Sequence, residues 1–236
     1  PEAYTNEQVN MMYALAGEEA ETEYDNNPTA DGKEWLEEYF IYRKLPPLSK
    51  YQFLLSYLDS GFKKTQYSDT KALPLLGYYQ GEFHLRWIMC RNADMPEQVD
   101  WHYNLDDFLK RSNAVAPMYM EEVFLTDLIY EDFDAARKIR GYTLHLEGDK
   151  RKKPDKRLRI KSTLGVFKRK KFIIDERLED DPDWITCKRQ YLKFTVTGKY
   201  KCDGPDAIEG GLFLLNQMIR EDVPPLTGQP RRNSRL

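Results

Sequence analysis

Along the first 140 residues the apolar positions recur mostly at intervals of three and four, the spacing that gathers one face of an α-helix. Thr5-Asn6-Glu7-Gln8 has the form of a capping box, and Val9, Met12, Tyr13 and Ala16 follow it on one face. Trp35, Leu36, Tyr39 and Phe40 predict a second helix that Pro46-Pro47 would stop. Ser49-Lys50-Tyr51-Gln52 predicts the start of a third, with Phe53, Leu54, Tyr57 and Leu58 inward and Gly61 at its end. Residues 78–90 suit either a strand or a buried helix, which periodicity alone does not separate. Asn104 predicts the cap of a short helix through Arg111. Pro117 predicts the first residue of the longest helix, with Val123, Phe124, Leu128, Phe133 and Ala136 as its apolar stripe and its end at Arg140, before Gly141.

After Gly141 the period changes to two. Tyr142, Leu144 and Leu146 alternate with polar neighbours, and the pattern returns at Leu158 and Ile160, at Phe172 and Ile174, and at Leu192, Phe194 and Val196, predicting an antiparallel sheet. Pro205 and Asp206 predict a last helix with Asp206 and Glu209 as an N-cap pair, an inward stripe of Ile208, Leu212, Leu215 and Ile219, and Pro224-Pro225 as its stop. The expected class is therefore α+β. A mainly helical N-terminal part at about 5–140 is followed by a small antiparallel sheet, a C-terminal helix and an extended tail. In segments, this is an acidic helix and arm at 1–32, a helical region at 33–140, a sheet with basic hairpins and final helix at 141–222, and a basic tail at 223–236.

Charge sharpens the division. The net charge of −3 conceals eleven carboxylates against Lys33 in residues 1–40, and fifteen Lys and Arg against Glu147, Asp149 and Asp155 in residues 137–171. Charge blocks of this size attract surfaces of the opposite sign or pair within the fold. The residues expected to meet nucleic acid or an acidic partner are Lys150, Arg151, Lys152, Lys153, Lys156, Arg157, Arg159, Lys161, Lys168, Arg169, Lys170 and Lys171, with Arg231 and Arg232 in the tail. Phe167, Phe172 and Phe194 are interleaved with them. On exposed strands such rings stack on unpaired bases, whereas simple alternation turns them into the core.

Motifs exclude more than they suggest. The uncharged stretches, such as residues 72–81 and 210–219, reach ten residues, too short for a spanning helix of roughly 20. Cys90, Cys187 and Cys202 are an odd, scattered set, favouring a reducing intracellular compartment, with a mitochondrial or plastid location open. No zinc, P-loop, dinucleotide or hydrolase-elbow signature occurs, so no cofactor or metal is expected. Glu82 with His84, or Asp100 with His102, could orient an imidazole, and residues 179–183 could hold a hard cation but read better as a solvated turn. The functional expectation is a non-catalytic accessory subunit of a large intracellular or organellar assembly, a ribonucleoprotein among the options, whose partners are other protein subunits and RNA or another acidic surface. The alternatives are a free-standing RNA- or DNA-binding protein and an enzyme with an unrecognised site.

Overall fold

The computed structural model of the chain describes residues 34–60, 70–121, 127–198 and 200–222. The expected arm at 1–32 and tail at 223–236, with Arg231 and Arg232, lie outside them. Among the described residues there are seven strands: β1 (Ile41–Arg43), β2 (Phe53–Leu58), β3 (Lys71–Tyr79), β4 (Glu82–Arg91), β5 (Met118–Glu121), β6 (Leu146–Asp149) and β7 (Phe172–Asp175). Five α-helices accompany them: α1 (Met95–Arg111), α2 (Asp127–Arg140), α3 (Lys156–Lys168), α4 (Pro182–Leu192) and α5 (Asp203–Asp222).

The strands form one mixed sheet in the order β1-β7-β4-β3-β2-β5-β6. β3 runs antiparallel to both β2 and β4, and every other neighbouring pair is parallel. Six strands therefore point one way. The β3–β4 hairpin turns through Gln80 and Gly81 at φ 49° and 82°, the left-handed pair that a two-residue hairpin favours. Strands that point the same way cannot be joined by tight turns, so α1 carries the chain from β4 across β3 and β2 to β5, and α2 lies between the parallel neighbours β5 and β6.

Helices cover both faces. Leu55 and Tyr57 of β2 pack with Ile160 and Phe167 of α3, Trp184 and Tyr191 of α4, and Ile208 and Leu212 of α5. Leu54 and Leu58 of the same strand pack on the other face with Trp101, Leu105 and Leu109 of α1. At Gly210 an added Cβ would lie 2.6 Å from Tyr57 Cε1, so α5 approaches β2 more closely than any larger residue would allow.

Burial on both faces corrects the expected fold. A strand covered on two sides loses its alternation, and the spacing of Phe53, Leu54, Tyr57 and Leu58 then imitates a helix. The same residues are β2. Within residues 35–40 the only helical piece is a short 3-10 turn, Glu37–Tyr39, leading into β1, residues 78–90 lie in the β3–β4 hairpin, and Pro117 precedes a strand before α2 begins. The small antiparallel sheet is corrected as well. Leu158 and Ile160 lie in α3, where Ile160, Leu164 and Phe167 are buried and Leu158 is 57% exposed. Leu192 ends α4, and Phe194 and Val196 follow it outside any strand. Only β6 and β7 fall where that sheet was expected, and each pairs in parallel.

Candidate active site

Because β2, β5 and β6 are parallel neighbours, their C-terminal ends finish side by side on one edge, the position where open α/β sheets bind ligands. Each end carries a carboxylate. Leu58 pairs with Met120, which brings the following residues Asp59 and Glu121 next to one another, and Glu121 pairs with Asp149. The first turns of α5 lie over this edge, and the spacing of Asp203, Asp206 and Glu209 places all three on one helical face. Thr70 donates to Asp203 Oδ2 at 2.8 Å, and Gln190 holds Thr70 from behind at 2.8 Å while accepting from the Gly204 amide at 2.8 Å.

Cations from the loop before α3 and from its first turn enter this acidic cluster. Lys156 Nζ lies 3.3 Å from Asp59 Oδ2, 2.9 Å from Asp203 Oδ1 and 3.3 Å from Asp206 Oδ2. Arg159 pairs with Asp206 at 2.9 Å and with Glu209. The Arg151 side chain donates twice to Glu209, at 3.1 and 3.0 Å, and once to Asp149 at 2.9 Å, while its backbone amide donates to Asp149 at 3.1 Å. Lys153 pairs with Glu121 and donates to Tyr57 Oη at 2.6 Å, while the Tyr57 hydroxyl donates to Asp149 at 2.9 Å.

Crowding shows in the proton affinities. Burial, partly opposed by Lys156 and reinforced by Asp206, Asp203 and Glu121, pushes the Asp59 carboxyl up to about 7. Burial works against the Lys156 ammonium, but Asp59, Asp206 and Asp203 together hold it protonated well above the usual lysine range. Burial and the Asp149 carboxylate raise the Tyr57 hydroxyl. Two oxygens remain under-used. Ser60 Oγ is buried with no hydrogen-bond partner among the described residues, and Asp206 Oδ1 lies in ion-pair range of Arg159 but outside hydrogen-bond alignment.

The basic block thus divides. Arg151, Lys153, Lys156 and Arg159 are spent on the carboxylates. Arg157 donates to the carbonyls of Thr195 at 2.6 Å and Tyr200 at 2.9 Å, and Lys161 pairs with Glu34 at 2.9 Å. Lys150 and Lys152 are exposed in the loop before α3. Lys168, Arg169, Lys170 and Lys171 are exposed where α3 meets β7, at the opposite edge of the sheet. Phe167, Phe172 and Phe194 are at most 1% exposed, so the interleaved rings belong to the core.

The other candidates are structural. Glu82 and His84, 3.4 Å apart with Tyr51 Oη 2.7 Å from the second ring nitrogen, stand at the start of β4, away from the carboxylates. His102 is fully buried with no partner on either nitrogen among the described residues, and Asp100 pairs with Arg140. In the acidic turn, Asp181 caps α4 and Asp183 accepts from the Cys90 amide at 2.9 Å. Sequence reasoning missed Asp59, Glu121, Asp149 and Asp203, and took Asp206 and Glu209 for a helix cap. The signal was a carboxylate directly after an apolar strand, at Leu58-Asp59 and Met120-Glu121, together with acids at helical spacing in α5.

No protein-family model matches the sequence, and no curated protein matches it. Solved structures do match in fold. The Mn-soaked human cytomegalovirus terminase nuclease domain is 14% identical, with 80% of this chain and 96% of that chain covered at a TM-score of 0.57. The P22 large terminase nuclease domain is 11% identical, with 80% and 95% covered at 0.55. The chain shares the fold of these two domains. This corrects the expectation of a non-catalytic accessory subunit and its alternative of a free-standing RNA- or DNA-binding protein, along with RNA contact and an organellar setting. The carboxylates gathered at the strand ends, in a chain that shares its fold with nuclease domains, run against the expectation that no catalytic site is present.

Proposed function

We propose that the chain is a metal-dependent nuclease domain that cuts DNA in viral or phage genome packaging, working with other terminase subunits. The observation that carries this reading is the convergence of Asp59, Glu121, Asp203 and Asp206 at the C-terminal edge of parallel strands in a fold similar to terminase nuclease domains. RNA plays no part in it. No helix among the described residues is long and apolar enough to cross a membrane.

The donor chemistry fits a divalent ion. The available atoms are carboxylate oxygens, the ligands that hard cations such as Mg2+ and Mn2+ prefer. Among the described residues, no group of three or more such side chains is arranged to ligate a metal as it stands, and Lys156 lies among Asp59, Asp203 and Asp206. Asp206 Oδ1, buried and outside hydrogen-bond alignment beside that centre, matches a cluster with a ligand still to receive. Asp59, Glu121, Asp203 and Asp206 would hold the ion, which would activate water and stabilise negative charge on the phosphodiester.

The chain's own residues do the rest. Thr70 and Gln190 fix the Asp203 carboxylate, Arg159 fixes Asp206, and the Tyr57, Lys153 and Arg151 network fixes the flanking Glu121, Asp149 and Glu209. Lys152, Lys168, Arg169, Lys170 and Lys171 supply exposed positive charge to attract the DNA backbone. Asp59→Asn preserves shape and removes one carboxylate. It should lower cleavage of linear duplex DNA with Mn2+ or Mg2+ on the order of 100-fold or more while leaving the circular-dichroism spectrum unchanged. DNA left intact by the unaltered chain with either ion, or cut equally fast by Asp59→Asn, would overturn the reading.

A further inference from the structure

Six carboxylates meet four cations at this edge: Asp59, Glu121, Asp149, Asp203, Asp206 and Glu209 against Arg151, Lys153, Lys156 and Arg159. The carboxylates outnumber the cations by two. The four cations are not equivalent. Arg159 also donates to the Pro154 carbonyl at 3.2 Å, Arg151 holds its two carboxylates through three side-chain bonds, and Lys153 is tied to the Tyr57 hydroxyl. Their side chains are 7%, 12% and 16% exposed, against 36% for Lys156.

Lys156 is further distinguished by its partners. Its ammonium sits among Asp59, Asp203 and Asp206, three of the residues the proposed function assigns to the metal. It also lies in the first turn of α3, where the helix dipole disfavours a positive charge, so the carboxylates alone hold it there. An ammonium is satisfied by oxygens near 3 Å, whereas Mg2+ or Mn2+ needs them at roughly 2.0–2.2 Å. The two cannot share the centre, because like charges a few Å apart in a partly buried site repel by several kcal/mol at an effective dielectric of about 20.

We propose that Lys156 is a resident counter-cation that neutralises the carboxylate centre before metal arrives, and that divalent-ion binding expels it toward solvent. This rests on the metal-dependent reading of the site. Two consequences follow: the metal-free fold leans on Lys156, and metal affinity is held down by the work of displacing it. Expulsion also turns an ammonium outward on the face where a DNA phosphate would approach.

Mn2+ titration calorimetry on the full chain, its Asp59→Asn variant and Lys156→Met tests this, with a second readout on the unaltered chain alone. Lys156→Met should bind Mn2+ about 10-fold or more tightly and unfold at lower temperature without metal. In the unaltered chain, mass-spectrometric measurement of reductive methylation should show Lys156 labelled severalfold faster when Mn2+ is saturating. The labelling arm needs no variant, so a Lys156→Met chain that fails to fold leaves the test intact. Unchanged or weaker Mn2+ affinity in Lys156→Met, or Lys156 labelling that does not rise with Mn2+, overturns the counter-cation while leaving the metal site standing. Mn2+ binding that Asp59→Asn does not weaken overturns the metal reading itself.

Discussion

The two ends of α3 have nearly the same composition and opposite meanings. At its start, Lys156 and Arg159 are enclosed with Asp59, Asp203, Asp206 and Glu209. At its finish, roughly 20 Å away by helical rise, Lys168, Arg169, Lys170 and Lys171 project into water. In the first setting burial has stripped solvation from Arg159 and the carboxylates, so each of these charges depends on its partners. In the second, water screens each charge and neighbours contribute little. A run of lysines and arginines is therefore one feature in the sequence and two in the molecule.

Breaking the buried end should have the largest effect on stability. Arg159→Met keeps much of the side-chain length and leaves Asp206 and Glu209 without their shared guanidinium. We expect a loss of about 3–5 kcal/mol, as for other broken buried pairs, measured by urea unfolding. A loss under about 1 kcal/mol would mean that the cluster behaves like a surface and that the contrast along α3 is false.

A third site asks whether burial, rather than position in the chain, makes the difference. His102 of α1 is fully buried, and desolvation lowers its pKa to about 4. The unfolded chain takes up a proton near the ordinary histidine value of about 6.5, and the folded chain does so only near 4. Its contribution is thus full above about 6.5 and declines as pH falls toward 4, by no more than about 3 kcal/mol. Unfolding midpoints measured from pH 7 to 4 should fall less steeply in His102→Leu than in the unaltered chain. Parallel profiles would remove His102 as a cause.

The smallest effect belongs to the exposed end. Changing Lys168, Arg169, Lys170 and Lys171 together to Gln should alter stability by no more than about 0.5 kcal/mol per site. Under the proposed nuclease function, cleavage of bound DNA should proceed at its usual rate, since the block stands away from the carboxylates. Any loss should appear in DNA affinity, as a flatter dependence on salt by about 0.9 in log–log slope for each duplex phosphate contact removed. A slowed rate at saturating DNA would place this end in the chemistry and erase the contrast.

The sequence by itself determined the features that depend on near neighbours. The end of α2 at Gly141, whose φ of 80° suits glycine, was legible from Arg140-Gly141. So was the stripe of Ile208, Leu212, Leu215 and Ile219 in α5, although that helix begins at Asp203 rather than Pro205. Phe172 and Ile174 were placed correctly in a strand, whereas Phe167 and Phe194, also read by strand alternation, reach the core from α3 and from the segment after α4. Only the tertiary structure decided whether Phe53 to Leu58 was helix or strand, because helices covering both faces of β2 removed the period that would have told them apart. It alone made a site of Asp59, Glu121 and Asp203. They lie far apart in the chain and meet through parallel register and the seating of Gly210 on Tyr57. Apolar spacing is local and survives in sequence. What a charge does is set by the dielectric and the partners around it, and those exist only once the chain has folded.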